Sequence, residues 1–357
     1  MRSQLRIVIL GLSITSSWGN GHATTYRGLV RELSARGHEV LFLERDMPWY
    51  AANQDLYAIQ SARIEIYSSL QQLKDCFASD VRQADVVIVG SYVPEGVAVG
   101  EWVTATACGL TAFYDIDTPV TLAKLGRGDT EYLSPALIRH YTLYLSFTGG
   151  PTLEQLEQRY GARQARPLYC AVDPQLYYPE PCAERWDLGY LGTYSSDRQP
   201  ALEALLLEPA RRWTQGRFVV AGPLYPSTLT WPANVQRLEH LPAAEHRAFY
   251  SAQRFTLNIT RADMVRAGYS PSIRLFEAAA CATPIISDYW PGLETLFTPG
   301  QEILVVDAPE EAVHYLRELP ESDLVALGRR ARARVLAEHT AAHRAAELEA
   351  YIYDSQP

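Results

Sequence analysis

The chain has 357 residues, 47% of them hydrophobic and 20% charged, with a formal net charge of −9. This is a globular composition with room for two domains of ordinary size, and it excludes a disordered chain. The acidic balance gives no electrostatic support to nucleic-acid binding or to general adhesion on a membrane surface.

Strand-like runs alternate with helical periodicity from end to end, which signals βαβ units and parallel sheets. The apolar run 7–12 is too short for a signal peptide and predicts a first strand over 5–12. A loop at 13–22 follows, then a helix with Tyr26, Leu29, Val30 and Leu33 on one face, ending at Arg36-Gly37-His38. Strand 39–43 comes next, then a helix with Leu70, Leu73, Phe77 and Val81. Strands are expected at 86–89, 111–114 and 144–147, and a helix around Leu153 and Leu156 ends near Gly161. Between about 170 and 185 the proline content reads as a linker. A second series then begins with strand 188–191 and a helix carrying Leu202, Leu205, Leu206 and Ala210. Strands 218–221 and 255–259 precede a helix over 270–281, the short strand Ile285-Ile286, and closing helices near 322–338 and 340–353. Two open α/β domains of this kind, 1–178 and 183–338, are expected to leave an interdomain ligand cleft at their strand C-termini.

Five cysteines, scattered and without CxxC spacing, argue against a disulfide framework and a structural zinc site, so a reducing, cytoplasmic setting is expected. No run approaches the ~18 apolar residues of a membrane span. Arg329, Arg330, Arg332 and Arg334 cluster on one predicted helix, read first as a solvated face, with a peripheral membrane contact left open.

The segment 268–288, Gly-Tyr-Ser-Pro-Ser-Ile-Arg-Leu-Phe-Glu-Ala-Ala-Ala-Cys-Ala-Thr-Pro-Ile-Ile-Ser-Asp, is the most informative. Ser270 before Pro271 reads as a helix N-cap with proline at the first helical position. On a wheel of about 100° per residue, Ser270, Arg274, Glu277 and Cys281 fall in one stripe. The other positions from Ile273 to Ala280 are apolar, so two charges sit on a helix otherwise buried all round. Buried charges need partners. Two readings stand: an i, i+3 salt bridge between Arg274 and Glu277, or a polar, anionic ligand at the helix N-terminus.

This segment resembles the donor-binding helix of GT-B glycosyltransferases of the group 1 type, nearest their spore-maturation (CgeB-like) branch. The resemblance implies that Glu277 binds the ribose hydroxyls of a nucleotide-sugar. Many members carry a second, sugar-contacting glutamate eight residues earlier, where this chain has Tyr269. Thr148-Gly-Gly-Pro-Thr-Leu-Glu-Gln-Leu-Glu-Gln-Arg-Tyr-Gly and Ala171-Val-Asp-Pro-Gln-Leu-Tyr-Tyr-Pro are similar to the end of the family's N-terminal domain. The run 189–198, Gly-Tyr-Leu-Gly-Thr-Tyr-Ser-Ser-Asp-Arg, resembles the first strand and loop of its donor domain. By the same resemblance residues 339–357 form a helix that crosses back to the first, acceptor-side domain.

Transfer from a nucleotide-sugar builds negative charge on the departing diphosphate, which calls for cations or N–H donors there and a group to deprotonate the acceptor. Donor contacts are expected from Glu277, Arg274, Arg198 and Arg261, from the backbone at Ser270, Ser272, Gly192 and Thr193, and from Gly19 and Gly21. Thr193 replaces an arginine frequent in the family. The loop Trp18-Gly19-Asn20-Gly21-His22 does not fit G-x-G-x-x-G and looks like the family's glycine-rich acceptor loop. His22 is read as catalytic base, ligand contact or structural residue. Asp115 and Asp117, after a predicted strand, are read as base, histidine orienter or acceptor contact, against helix capping by Asp117. Their Asp-x-Asp spacing also matches the metal motif of GT-A enzymes. Glu294 is read as a helix cap. The expected function is thus glycosyl transfer from a nucleotide-sugar to a glycan, lipid-linked or small-molecule acceptor, with no metal and no cofactor beyond the co-substrate. The alternatives are a sugar-nucleotide epimerase of the same fold and a non-catalytic structural protein.

Overall fold

The computed structural model describes residues 4–355 except 19–20, 57–58 and 61. The chain divides into two compact units, Met1–Ala171 with Ala341–Pro357, and Val172–Thr340. The first unit holds seven parallel strands: β1 (Arg6–Gly11), β2 (Glu39–Arg45), β3 (Ala62–Tyr67), β4 (Val86–Gly90), β5 (Leu110–Asp115), β6 (Leu143–Ser146) and β7 (Ala165–Pro167). Their order is β3-β2-β1-β4-β5-β6-β7. Ile7 of β1 lies beside Val40 on one side and Val86 on the other. The Ile and Val runs of β1 and β4 are buried on both faces, as a parallel sheet requires.

The second unit holds β8 (Trp186–Leu191), β9 (Phe218–Ala221), β10 (Val235–Leu238), β11 (Gln253–Asn258), β12 (Ile285–Ser287) and β13 (Leu304–Val305), in the order β10-β9-β8-β11-β12-β13. Both sheets are Rossmann-like, with the first strand of each flanked by its second and fourth. The strand order therefore reverses between β1 and β4 and between β8 and β11. Ligands of open α/β sheets bind outside the strand C-termini at such switch points.

Residues 172–178, read with the first domain from sequence, sit in the second unit. Val172 donates its N–H to His339 O at 3.1 Å and bridges to Thr340. In the first unit the helix Ala341–Asp354 packs on the helix His22–Ala35, where a Cβ added to Gly28 would come 3.0 Å from Ala341. Glu349 of the later helix accepts two bonds from Arg36, at 2.6 and 2.7 Å, and lies 2.7 Å from Nε2 of buried His38.

Two local expectations change. The helix predicted on Leu202–Ala210 is interrupted by a π turn at Glu203–Leu207, followed by Glu208–Arg212. Pro209 lacks the N–H that an α turn would use, and the widened turn avoids its clash with the preceding carbonyls. The helix predicted from Ser270 runs instead over Ile273–Ala280 with Ser272 at the N-cap. Tyr269 is left-handed at φ 48°, and the residue before Pro271 is held out of helical conformation. In the helix Glu321–Glu338, Arg330 and Arg332 donate to the carbonyls of Gln301 and Ala280, and Arg334 pairs with Glu338 and Glu302. No described helix is long and apolar enough to cross a membrane.

Candidate functional site

In the second unit the C-terminal ends of β8 and β11 meet the N-terminus of the helix Ile273–Ala280. Arg274 leaves its first turn, donates Nε to Leu191 O at 2.6 Å and Nη1 to Asn258 Oδ1 at 2.9 Å, and lies over the Tyr190 ring at 4.8 Å. Its Nη2 points past Gly192, where an added Cβ would sit 3.1 Å away and only 2.6 Å from the Tyr190 hydroxyl. Glycine at 192 is therefore a packing requirement. The Gly192 carbonyl accepts from Tyr225 Oη at 3.1 Å. Arg198 folds back over the same loop and donates to Thr193 O at 2.5 Å, while its buried Nε has no partner. Burial, reinforced by the like charges of Arg274 and Arg261, pulls the Arg198 pKa below its ordinary value.

Arg198, Arg261 and Arg274 thus share one neighbourhood, and among the described residues none of them makes an ion pair. A nearby carboxylate, Asp288, is taken by Thr260, whose N–H and hydroxyl both reach it at 2.9 Å. Burial raises the pKa of Asp288. Guanidinium groups gathered without carboxylate partners have the chemistry to take an anion. Ser272 Oγ donates to Asn258 Oδ1 at 2.7 Å, and Asn258 Nδ2 donates to Ser287 and Thr260. Asn258 is the hub that sequence reading missed; a polar residue closing the apolar run of β11 was its signal. Ser270 is buried.

Glu277 lies one turn further along the same helix, 4% exposed. Its Oε2 accepts from Tyr250 Oη at 3.0 Å and lies 3.9 Å from His246 Nδ1. The expected alternative, a salt bridge from Arg274 to Glu277, does not form: each side chain has other partners. Cys281, on the same stripe, is buried, and burial with the Glu277 charge pushes its thiol up to about 12. Tyr269 packs its ring against Gly292, where a Cβ would meet it at 2.5 Å. Glu294 accepts from Gly292 N at 3.3 Å at the start of a short 3-10 turn.

In the first unit, His22 opens the helix His22–Ala35 at the end of the β1 loop. It is 9% exposed, with Nδ1 unpartnered and its ring edge-on to Tyr92, centroids 5.4 Å apart. Burial lowers its pKa below 6.5, against the opposing charge of Asp117. Tyr92 Oη reaches Asp117 Oδ2 at 3.2 Å, so His22, Tyr92 and Asp117 come together at the ends of β1, β4 and β5. Asp117 occupies the N-cap of the helix Thr118–Gly126 but its side chain makes no cap bond. Asp115 is fully buried and accepts from Tyr144 Oη at 2.5 Å, Thr121 Oγ1 at 2.8 Å and Asp117 N at 3.2 Å. Burial raises its pKa to about 6 against those bonds. Asp115 thereby anchors the turn that presents Asp117. Among the described residues no group of three His, Cys, Asp or Glu side chains could hold a metal ion.

Gly19 lies outside the described residues. Gly21 is right-handed, φ −78°, with nothing within 4 Å of an added Cβ, so glycine there leaves open space and its freedom at positive φ is not used. The loop ahead of it is ordered by buried Glu44, which accepts from Ser13 Oγ, Ile14 N, Thr15 N and Thr15 Oγ1 at 2.7–3.0 Å. The cavity between Arg6, Glu39, Arg63 and Asp80 lies at the opposite, N-terminal ends of β1 and β2. Its charges pair internally, Arg6 with Glu39 and Arg63 with Asp80.

Two Rossmann-like parallel sheets, each with polar groups gathered at its switch point, define the GT-B class of fold. Residues 198–350 match the family model described as glycosyl transferase-like. Among solved structures the chain is similar to an alpha-glucosyltransferase in complex with UDP-glucose and DNA containing an abasic site. That match has TM-score 0.74 and 14% identity, and covers 98% of this chain and 100% of the other. It is similar to HepE of Anabaena in complex with UDP-glucose, at TM-score 0.72 and 12% identity over 98% and 100% of the chains. It is also similar to the sucrose-phosphate synthase of Thermosynechococcus elongatus, at TM-score 0.69 and 16% identity over 98% and 100%. No curated protein matches the sequence.

Proposed function

We propose that this chain is a glycosyltransferase that moves a sugar from a nucleoside-diphosphate sugar to an acceptor hydroxyl on a glycan, a lipid-linked saccharide or a small molecule. The observation that carries the reading is the cluster of Arg198, Arg261 and Arg274 around Gly192, unpaired with carboxylates, at the switch point of the second unit. The diphosphate would sit there, with the N-terminus of the helix Ile273–Ala280 adding its dipole. One turn further on, Glu277 would take the ribose. The residues 268–288 support placement in the spore-maturation branch, and the net charge of −9 speaks against a nucleic-acid acceptor.

As the glycosidic bond breaks, its electron pair moves onto the diphosphate oxygen, and the guanidinium groups stabilise that charge. They do what a divalent cation does elsewhere, which makes the reaction metal-independent. In the first unit His22, neutral because burial lowers its pKa, would take the acceptor proton, with Tyr92 and Asp117 beside it.

The test is a thermal-shift panel of UDP, ADP, GDP and their sugars, followed by Arg274→Ala. One nucleotide series should stabilise the protein, and the variant should weaken its binding about 10- to 100-fold, as expected for lost charge-assisted bonds. Undiminished binding by a folded variant would remove the diphosphate role. Turnover should survive a chelator; loss of activity restored by Mg²⁺ would sink the metal-free reading. Release of isomerised sugar from donor alone would favour the epimerase.

A further inference from the structure

Glu277 is buried, and two tyrosine hydroxyls face its carboxylate. Tyr250, on the helix His246–Ser251, is fully buried and donates Oη to Glu277 Oε2 at 3.0 Å. The Tyr177 hydroxyl faces the same carboxylate and lies 3.5 Å from His246 Nδ1. Burial and the Glu277 charge hold both phenols well above their ordinary pKa, so both remain donors at any working pH. Tyr250 is fixed in turn from a third element, since Thr283 Oγ1 donates to its carbonyl at 2.8 Å.

A free carboxylate on a glutamate spins about its last bond and loses entropy when it must accept two hydroxyl groups in one plane. The bond from Tyr250 to Oε2 fixes the plane of the carboxylate. We infer that Tyr250, assisted by Tyr177, is a positioning residue: it fixes the Glu277 carboxylate in the orientation that meets the ribose hydroxyls of the nucleotide. The inference rests on the reading of Glu277 as the ribose contact. It extends that reading to two tyrosines, one of them 100 residues away in sequence, and it makes ribose over deoxyribose selectivity a property of their hydroxyls.

The experiment measures Kd for the nucleoside diphosphate that gives the largest thermal shift and for its 2′-deoxy counterpart. The full-length protein is compared with Glu277→Ala, Tyr250→Phe and the double variant. Wild-type protein should prefer the ribonucleotide by about 10-fold or more. Tyr250→Phe keeps the ring and its packing, and should lower that preference about 3- to 10-fold while leaving deoxynucleotide affinity unchanged. In the Glu277→Ala background Tyr250→Phe should have no further effect on the preference. If Glu277→Ala abolishes the preference and Tyr250→Phe leaves it intact, the positioning role falls while the ribose reading stands. If Glu277→Ala itself leaves it intact, both fall. Circular-dichroism melts check folding, and Tyr177→Phe, outside any helix or strand, is the second variant with a smaller expected drop. Unchanged preference in whichever variants fold overturns the inference.

Discussion

At His22, burial and charge act in opposite directions, and burial wins. Its pKa falls below 6.5 although Asp117 pulls it up, so the imidazole is neutral and able to accept a proton at neutral pH. Acid protonates it and would remove the proposed base. The kcat/KM profile should therefore lose activity on the acid side of pH 6.5. His22→Ala should cost about 100-fold or more in kcat and abolish that limb; an unchanged acid limb in the variant would assign it to another group. The place of His22 at the end of the first strand's loop was legible in sequence, because it follows a glycine-rich run. Tyr92 was not. It reaches His22 and Asp117 only through the pairing of β4 with β1 and β5, and a tyrosine at φ 63° has no periodic signature.

The helix Ile273–Ala280 and the loop after β8 show how far an element can be read alone. Its apolar periodicity and its two charges were plain, and the orientation of Arg274 toward Gly192 agrees with an anion site. Its start was misplaced by two residues, because local cap chemistry at Ser270-Pro271 competes with the left-handed turn at Tyr269. Ser272 instead donates to Asn258, a partner 14 positions away. Gly192→Ala tests the same junction. A Cβ there would meet the Tyr190 hydroxyl at 2.6 Å, and the buried ring cannot withdraw freely. The variant should lose about 1–3 kcal/mol of stability by urea unfolding and should bind nucleotide more weakly. A variant as stable as wild type, with full affinity, would show that the loop yields without moving Arg274.

For the whole molecule, the return of the last helix to the first unit is set by a buried charge network. Arg36 bonds first, then His38, hold the Glu349 carboxyl down at about 2 against the effect of burial. A depressed carboxylate stabilises the folded state at pH above its unfolded value and loses that contribution as pH falls toward 2. Glu349→Gln should therefore lower stability by about 2–3 kcal/mol near neutrality, and the gap to wild type should close as acid melts are taken toward pH 2. A gap independent of pH would mean that shape, not charge, holds the helix.

Most of the central strands and the two-sheet class could be read from one dimension, because apolar runs and helical periodicity are properties of neighbouring residues. The edge strands β3, β7, β10 and β13 escaped, since short or half-exposed edges, with charges such as Arg63 and Glu65, need no continuous apolar run. The chain by itself determined where the arginines, the glutamate and the glycine-rich loops fall along the strand ends. Only the tertiary structure decided which of them meet. Arg198 joins Arg274, Tyr250 joins Glu277, and Asp115 turns inward while Asp117 does not, because those contacts depend on sheet order and burial between residues far apart in sequence.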